Sequence, residues 1–486
     1  MSSASLLNGL QNDFLGEGSY GCVYYPGIRC NGKPNKKKLI TKIQEINFYS
    51  DNEKAIGNYI KTNIKNYKKY FSPIVKYCIV KFNTIEKSNL DIKKCNIIFD
   101  EYNAINEYHA INEYHANNEY HAANVNNSMM TRQYFLMYSY YIQSYTLKDF
   151  YIENDFEFTF NMLNHIYKTT YAVNLLNQNN IIHNDLHMGN ILIHMKNLSP
   201  IIIDFGLSFN INNCYKLNKN YIDFQYVKKF VFDFRTDSYH FNIEKRFISF
   251  LIYNKSDHFT NEVYDNNDNN TISKEAIHFF VNDAYTSIIN NEEINRFFKT
   301  SEMIDYKKAL VQFYNQFLDK SKYPKYNTIV KYLLDFVYAY NDLYSVTIDL
   351  LFLYHLKDNN INEDMDQDNP PNIMQHLLTS EEAIILDFFI QLYKKVLYPD
   401  PYMRLKIAEL LDTYTFIINY IKNYTLKTEK DTNTIRLDFI TSFIKFLKSK
   451  NISIEIIFYK KFAFLNFNLL CSHAIFHTIQ KSSIKL

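Results

Sequence analysis

Short apolar runs separated by polar turns open the chain. Leu15 leads into Gly16-Glu17-Gly18-Ser19-Tyr20-Gly21 and then Cys22-Val23-Tyr24-Tyr25, and Leu39-Ile40-Thr41-Lys42-Ile43 follows a loop from Pro26 to Lys38 built on Gly, Pro and Asn. Strand, glycine turn, strand, loop and strand are predicted. From about Asp51 the period lengthens, and Glu53, Ile56, Ile60 and Ile64 recur at helical spacing. Gln133 to Tyr138 reads as a strand. A helix is predicted over about Phe158 to Asn177, with Leu163, Ile166, Tyr167, Val173 and Leu176 as its apolar face. Three short runs follow: Ile181-Ile182, then Ile191-Leu192-Ile193 after a polar loop, then Ile201-Ile202-Ile203 after a turn containing Pro200. From about Tyr221 to Tyr424 the pattern is mainly helical, broken by Asn-rich loops at 261–270 and 358–372. Beyond Thr425 a polar run gives way to amphipathic segments of no assignable type.

One stretch carries a repeat instead of a core pattern. Asn106-Glu107-Tyr108-His109-Ala110 recurs as Asn112 to Ala116 and as Asn118 to Ala122. On a helix a period of six turns each His by about 240°, so the three imidazoles diverge. A low-complexity insertion over about 100–128 is the expectation, with a metal-binding His array as its alternative. The 486 residues are 47% apolar, enough for a sizeable core, and the net charge of +2 gives no basic field for nucleic acid. Six Cys include no C-x-x-C pair and match no closed zinc pattern, so free thiols in a reducing compartment are expected. Met1 to Gln11 lacks a basic start followed by an apolar stretch, and Phe462 to Phe476 is too short and polar to span a bilayer. A cytoplasmic, non-secreted protein with no membrane or nucleic-acid partner is the expectation.

Only nine Gly occur in the chain, which makes the cluster Gly16-x-Gly18-x-x-Gly21 informative. Such a hairpin lets backbone lie over phosphates where a Cβ would intrude. Lys42, in the next strand but one, is a candidate phosphate contact, and Glu53 on the following helix is its candidate partner, with Glu45 as the rival. His183-Asn184-Asp185-Leu186-His187-Met188-Gly189-Asn190 lies between two apolar runs, and Asp204-Phe205-Gly206 follows fourteen residues after Asn190. Phosphoryl transfer needs cations on the phosphate oxygens, hard oxygen ligands for those cations, and a carboxylate near the attacking hydroxyl. Asn190 and Asp204 supply the ligand oxygens, and Asp185 is placed to accept the hydroxyl proton.

This ordered set resembles the protein-kinase family. More narrowly, Gly18-Ser19-Tyr20-Gly21-Cys22-Val23-Tyr24 with Pro26 and Cys30, Phe71-Ser72-Pro73-Ile74 before Cys78, and Ile203 to Ser208 look like the serine/threonine kinases assigned to giant, mimivirus-like DNA viruses. The resemblance implies an α+β, bilobal protein-kinase fold. The expected small β-rich N-lobe covers residues 1–140, the large mainly helical C-lobe 141–424 with an insertion over about 210–330, and an unassigned extension 425–486. It implies ATP and Mg²⁺ as cofactors and a protein substrate. Gly16, Gly18, Gly21 and Val23 would cover the nucleotide, Lys42 paired with Glu53 would hold its phosphates, Asn190 and Asp204 would hold the metal, and Asp185 would act as base. Asn341-Asp342-Leu343-Tyr344-Ser345 resembles the family's Asp-x-Trp/Tyr-Ser segment, with Asp237-Ser238-Tyr239 as a rival, and Asp400-Pro401-Tyr402-Met403-Arg404 resembles its late Asp-Pro-x-x-Arg element.

Departures from the pattern matter as much. Asn184 stands where regulated kinases carry an Arg that reads an activation-loop phosphate, which implies activity without such phosphorylation. His187 replaces the Lys of serine/threonine kinases. No Ala-Pro-Glu element precedes Asp342, so Arg404 is expected to lack the family's Glu partner. A small-molecule kinase of the aminoglycoside or choline type is therefore an alternative, and a pseudokinase scaffold is a third possibility, opposed by the presence of Lys42, Asp185 and Asp204.

Overall fold

The computed structural model describes residues 13–96, 132–153, 160–216, 221–231, 241–254, 272–359 and 389–425, apart from 19, 36, 37, 296 and 324, together with 98, 442, 445, 446 and 449. The hexapeptide repeat, the rival segment at 237–239 and nearly all of the C-terminal extension lie outside the described residues. Two compact units divide the chain. The first joins Met1–Gln143 to Ile203–Ser208, and the second joins Ser144–Ile202 to Phe209–Leu486.

The first unit is built on five antiparallel strands. β1 (Asp13–Gly18), β2 (Gly21–Tyr25), β3 (Leu39–Glu45), β4 (Lys76–Lys81) and β5 (Gln133–Tyr140) run in the order β1-β2-β3-β5-β4. Alternation sorts their side chains. Cys22, Tyr24, Ile43, Leu136 and Tyr138 point into one buried cluster, while Phe135 and Met137 join Ile74 in another. Lys42 opposes Val23 and Met137 in the register, so it stands on the face opposite Ile43.

α1 (Phe48–Asn63) crosses in sequence between β3 and β4. It begins three residues earlier than the apolar period alone predicts, because Asn47 and Ser50 form a capping box. The Asn47 side chain accepts from the Ser50 backbone N–H at 3.0 Å, and Ser50 Oγ accepts from the Asn47 backbone N–H at 2.9 Å. Its buried positions are Ser50, Glu53, Ile56, Gly57 and Ile60. α2 (Phe82–Glu86) caps the sheet with Phe82 and Ile85.

Two disulfides correct the expectation of free thiols. Cys22 pairs with Cys95 and Cys30 with Cys78, spanning 73 and 48 residues. Each disulfide joins a strand residue, Cys22 on β2 or Cys78 on β4, to a residue of a connecting segment, Cys95 or Cys30, a pairing that linear spacing does not show. The inference of a reducing compartment loses this premise. Glu17, Cys22 and Cys95 form the one metal-like cluster among the described residues, and its two sulfurs are already bonded to each other. Among those residues, no helix is long and apolar enough to cross a membrane.

The second unit is mainly helical. β6 (Ser144–Thr146), α3 (Leu147–Glu153) and α4 (Phe160–Gln178) lead into β7 (Ile181–Ile182), β8 (Ile191–His194) and β9 (Pro200–Ile202). Pro200 opens β9 instead of lying in the preceding turn, and it pairs with Ile193. β10 (Phe209–Asn210) pairs with β7, and β11 (Tyr215–Lys216) with β12 (Tyr221–Ile222). Then come α5 (Phe224–Val231), α6 (Ile243–Asn254), α7 (Lys274–Ile289), α8 (Glu292–Asn295), α9 (Thr300–Asn315), α10 (Tyr326–Asn359) and α11 (Ile407–Thr425). An aromatic core joins α6, α7 and α9, with Phe247 4.6 Å from Phe280 and 4.7 Å from Tyr314 between ring centroids. A β-sheet unit and a mainly helical unit together fit an α+β fold.

Candidate active site

In the first unit the charged cluster centres on Lys42. β3 is buried from Thr41 to Gln44, so the lysine must be paired to stay ionised. Its Nζ lies 2.9 Å from Glu53 Oε2 and 3.2 and 3.3 Å from the two oxygens of Asp204. Glu45 instead meets Arg132 at 2.5 Å. Burial opposes the charge on Lys42, but the two carboxylates outweigh it and hold the lysine pKa above its ordinary value. Burial, together with the Asp204 charge, pushes Glu53 up, and Lys42 pulls it back. One ammonium thus serves two carboxylates, and Asp204 is the more exposed of the two.

Backbone and packing set Asp204. Its φ of +58° is a conformation that non-glycine residues seldom adopt. Phe205 is buried, edge-on to Phe71 at 6.1 Å, and the Gly206 N–H donates to Asp204 Oδ1 at 3.3 Å. Asn52 adds an anchor that the sequence did not reveal. Its Nδ2 donates to Gly206 O at 2.9 Å and to Ser208 O at 2.7 Å, tying the segment to α1. The helical neighbour of Glu53 is the signal that would have pointed to it.

The glycines of the β1–β2 hairpin differ in what they need. A Cβ on Gly21 would lie 2.2 Å from Ile43 O, so close strand contact requires glycine there. Gly16 and Gly18 have nothing within 4 Å of an added Cβ. Their bare backbone faces open space, as a phosphate-covering loop requires.

In the second unit the loop between β7 and β8 is fixed from both sides. The His183 and Asn184 N–H groups donate to Asp342 Oδ2 and Oδ1 at 2.6 and 2.9 Å, and Asp342 is buried on α10. Asn190 Nδ2 donates to Asp185 O at 2.8 Å and to Asp185 Oδ2 at 3.4 Å, which orients the carboxylate and leaves Oδ1 as the oxygen Asn190 can offer a cation. His187 Nδ1 accepts from the Gly189 N–H at 3.1 Å and caps the turn Met188–Asn190. A neutral imidazole is required for that role, since a protonated ring has no acceptor.

Arg404 has the partner the sequence expectation denied it. Its two terminal nitrogens each donate to an oxygen of Glu244 at 2.8 Å, in a fork whose side chains are fully buried. Burial works against the guanidinium charge, and Glu244 more than offsets it, so its pKa is raised. Glu244 is preceded by Asn242-Ile243 and not by Ala-Pro, so no Ala-Pro-Glu tripeptide marks it in the sequence.

The Asp204 carboxylate in the first unit and the Asn190 amide oxygen in the second are each hard oxygen donors, a kind that suits Mg²⁺ better than a soft metal. The surplus negative charge beside Lys42 is what a divalent cation would relieve.

Residues 70–244 match the family model for protein tyrosine and serine/threonine kinase. No curated protein matches the chain. The match covers about a third of the chain and supports a likeness to the protein kinase superfamily, without separating its tyrosine from its serine/threonine members. It begins beyond the glycine hairpin, Lys42 and Glu53, includes Asp185, Asn190 and Asp204, and ends at Glu244. Lys42, outside the match, directly contacts Asp204 inside it, and Glu53 is joined to Asp204 through Lys42.

Proposed function

We propose that this protein is an ATP- and Mg²⁺-dependent serine/threonine protein kinase. The observation that carries the proposal is Lys42 Nζ shared between Glu53 and Asp204, because a buried lysine fixed by one carboxylate and set beside another is suited to a polyphosphate with its cation.

Bound Mg²⁺ would supply positive charge against the negative charge of the phosphates. Lys42, positioned by Glu53, holds the nucleotide's phosphate oxygens, and the open backbone of Gly16 and Gly18, with Val23 beside it, covers them. Asp204 and Asn190 would each offer an oxygen to hold the metal. Asp185 accepts the proton of the substrate hydroxyl as its oxygen bonds to the γ-phosphorus and the bond to the β,γ-bridging oxygen breaks, releasing ADP. Serine/threonine over tyrosine rests on the resemblance of the glycine hairpin and the Ile203–Ser208 segment to serine/threonine kinases. The small-molecule alternative drew on His187 and on the lack of a partner for Arg404. His187 has a capping role here and Glu244 fills the gap, so both motives weaken.

Labelled ATP with Mg²⁺, presented with generic protein substrates and with a panel of small alcohols, tests the proposal. Label is expected on protein Ser or Thr. Transfer only to small alcohols would support the alternative, and nucleotide binding without transfer would support a scaffold.

A further inference from the structure

Asn184 occupies the position at which the resemblance implies an arginine, and its environment shows what replaces that cation. Its φ is +69°, a conformation asparagine tolerates better than most residues, and it is buried. Its amide is used at both ends. Nδ2 donates to Phe230 O, on α5, at 3.2 Å, and Oδ1 accepts from Lys245 Nζ, on α6, at 2.6 Å. Lys245 is itself only 4% exposed, and its Nζ lies 3.1 Å from the centroid of the Phe241 ring. Its backbone N–H donates to Asn242 Oδ1 at 3.0 Å, and its neighbour Glu244 is held by Arg404. The first turn of α6 is thus locked, and the ammonium is delivered from a fixed base.

We infer that Lys245 is a positioning residue: by holding Asn184 Oδ1 it sets the backbone from which Asp185 projects, and it does so without a phosphate on the segment between Asp204 and α6. An arginine at 184 would need an anion to hold it there. An asparagine oxygen needs only a hydrogen-bond donor, and the Lys245 ammonium supplies one from within the chain. Asn184 then ties α5 and α6, which bracket residues 232–240, to the catalytic loop. The inference rests on the phosphotransferase proposal for its kinetic consequence, but the geometry it concerns is independent of that proposal.

Lys245→Met, Lys245→Arg and Asn184→Ala test it by two readouts. In hydrogen exchange, amides 184–190 of Lys245→Met and Asn184→Ala should exchange at least about tenfold faster than in the wild type, while Lys245→Arg stays close to it. In phosphotransfer, Lys245→Met should lower kcat on the order of tenfold to a hundredfold with KM for ATP within about twofold, Lys245→Arg should restore most of the rate, and phosphatase treatment of the wild type should leave its rate unchanged. Wild-type exchange at 184–190 in Asn184→Ala overturns the inference even if Lys245→Met fails to fold. So does a rate that collapses on dephosphorylation. A wild type that transfers no phosphate, with faster exchange in both variants, refutes the kinase proposal and leaves the positioning role standing.

Discussion

Lys42 carries one positive charge between two carboxylates, and that imbalance makes the site sensitive to single substitutions. Lys42→Ala leaves Glu53 buried beside Asp204 with no cation, and Asp204→Ala removes the exposed member of the set. Each is expected to abolish phosphotransfer, read with labelled ATP, and retained transfer in either would remove that residue from the site. Asp185→Asn keeps the hydrogen bond from Asn190 but cannot accept a proton, and a fall in kcat of at least about a hundredfold is expected. The glycines separate folding from binding. Gly21→Ala drives a Cβ into Ile43 O and should cost about 1–3 kcal/mol in denaturant unfolding. Gly18→Ala meets nothing, so unfolding should be unchanged while ATP binding weakens.

At the scale of single elements, α4 carries a titration built into its packing. His165 is buried, hydrogen-bonded through Nδ1 to the Tyr151 hydroxyl at 2.9 Å, and burial, aided by the Lys168 charge, lowers its pKa to about 4. The unfolded chain takes up this proton near pH 6.5 while the folded chain resists it, so the stability is fully present above about pH 6.5 and lost as pH falls towards 4. Between pH 7 and pH 5 the loss from this group should be roughly 2 kcal/mol. Urea unfolding at both pH values checks it, and a His165→Gln variant should lose less over the same interval. Elements were also where the sequence spoke most clearly. Helical spacing set Glu53 in line with Ile56 and Ile60, and the structure buries all three on one face of α1. The start of α1 was misread because the capping pair Asn47 and Ser50 lies ahead of the apolar period.

Across the whole molecule, long-range pairs did what local pattern could not announce. Asp342 was legible from its segment and its spacing to Arg404. Glu244 was not, because it reaches across 160 residues and no tripeptide marks it. Removing one member of this buried fork leaves a charge without its partner, so Arg404→Ala is expected to cost about 3–5 kcal/mol, whereas Glu244→Leu with Arg404→Met should recover much of it. The disulfides were equally hidden, since pairing depends on sheet order. By chain entropy, loops of 48 and 73 residues stabilise by about 4 kcal/mol each, and Cys30→Ser with Cys78→Ser should lose that amount in unfolding experiments. Within the stretch 210–330, α6 supplies Glu244 and ends at Asn254, and α7 and α9 pack on it through Phe280 and Tyr314 against Phe247.

The central claim is phosphoryl transfer with Asp185 as base. Its most direct measurement is the rate of γ-phosphate transfer from labelled ATP with Mg²⁺ to protein hydroxyls, wild type beside Asp185→Asn, with nucleotide binding measured on both. Transfer by the wild type, at least about a hundredfold slower in Asp185→Asn at equal nucleotide affinity, is the expected result. Equal rates in the two proteins would contradict it.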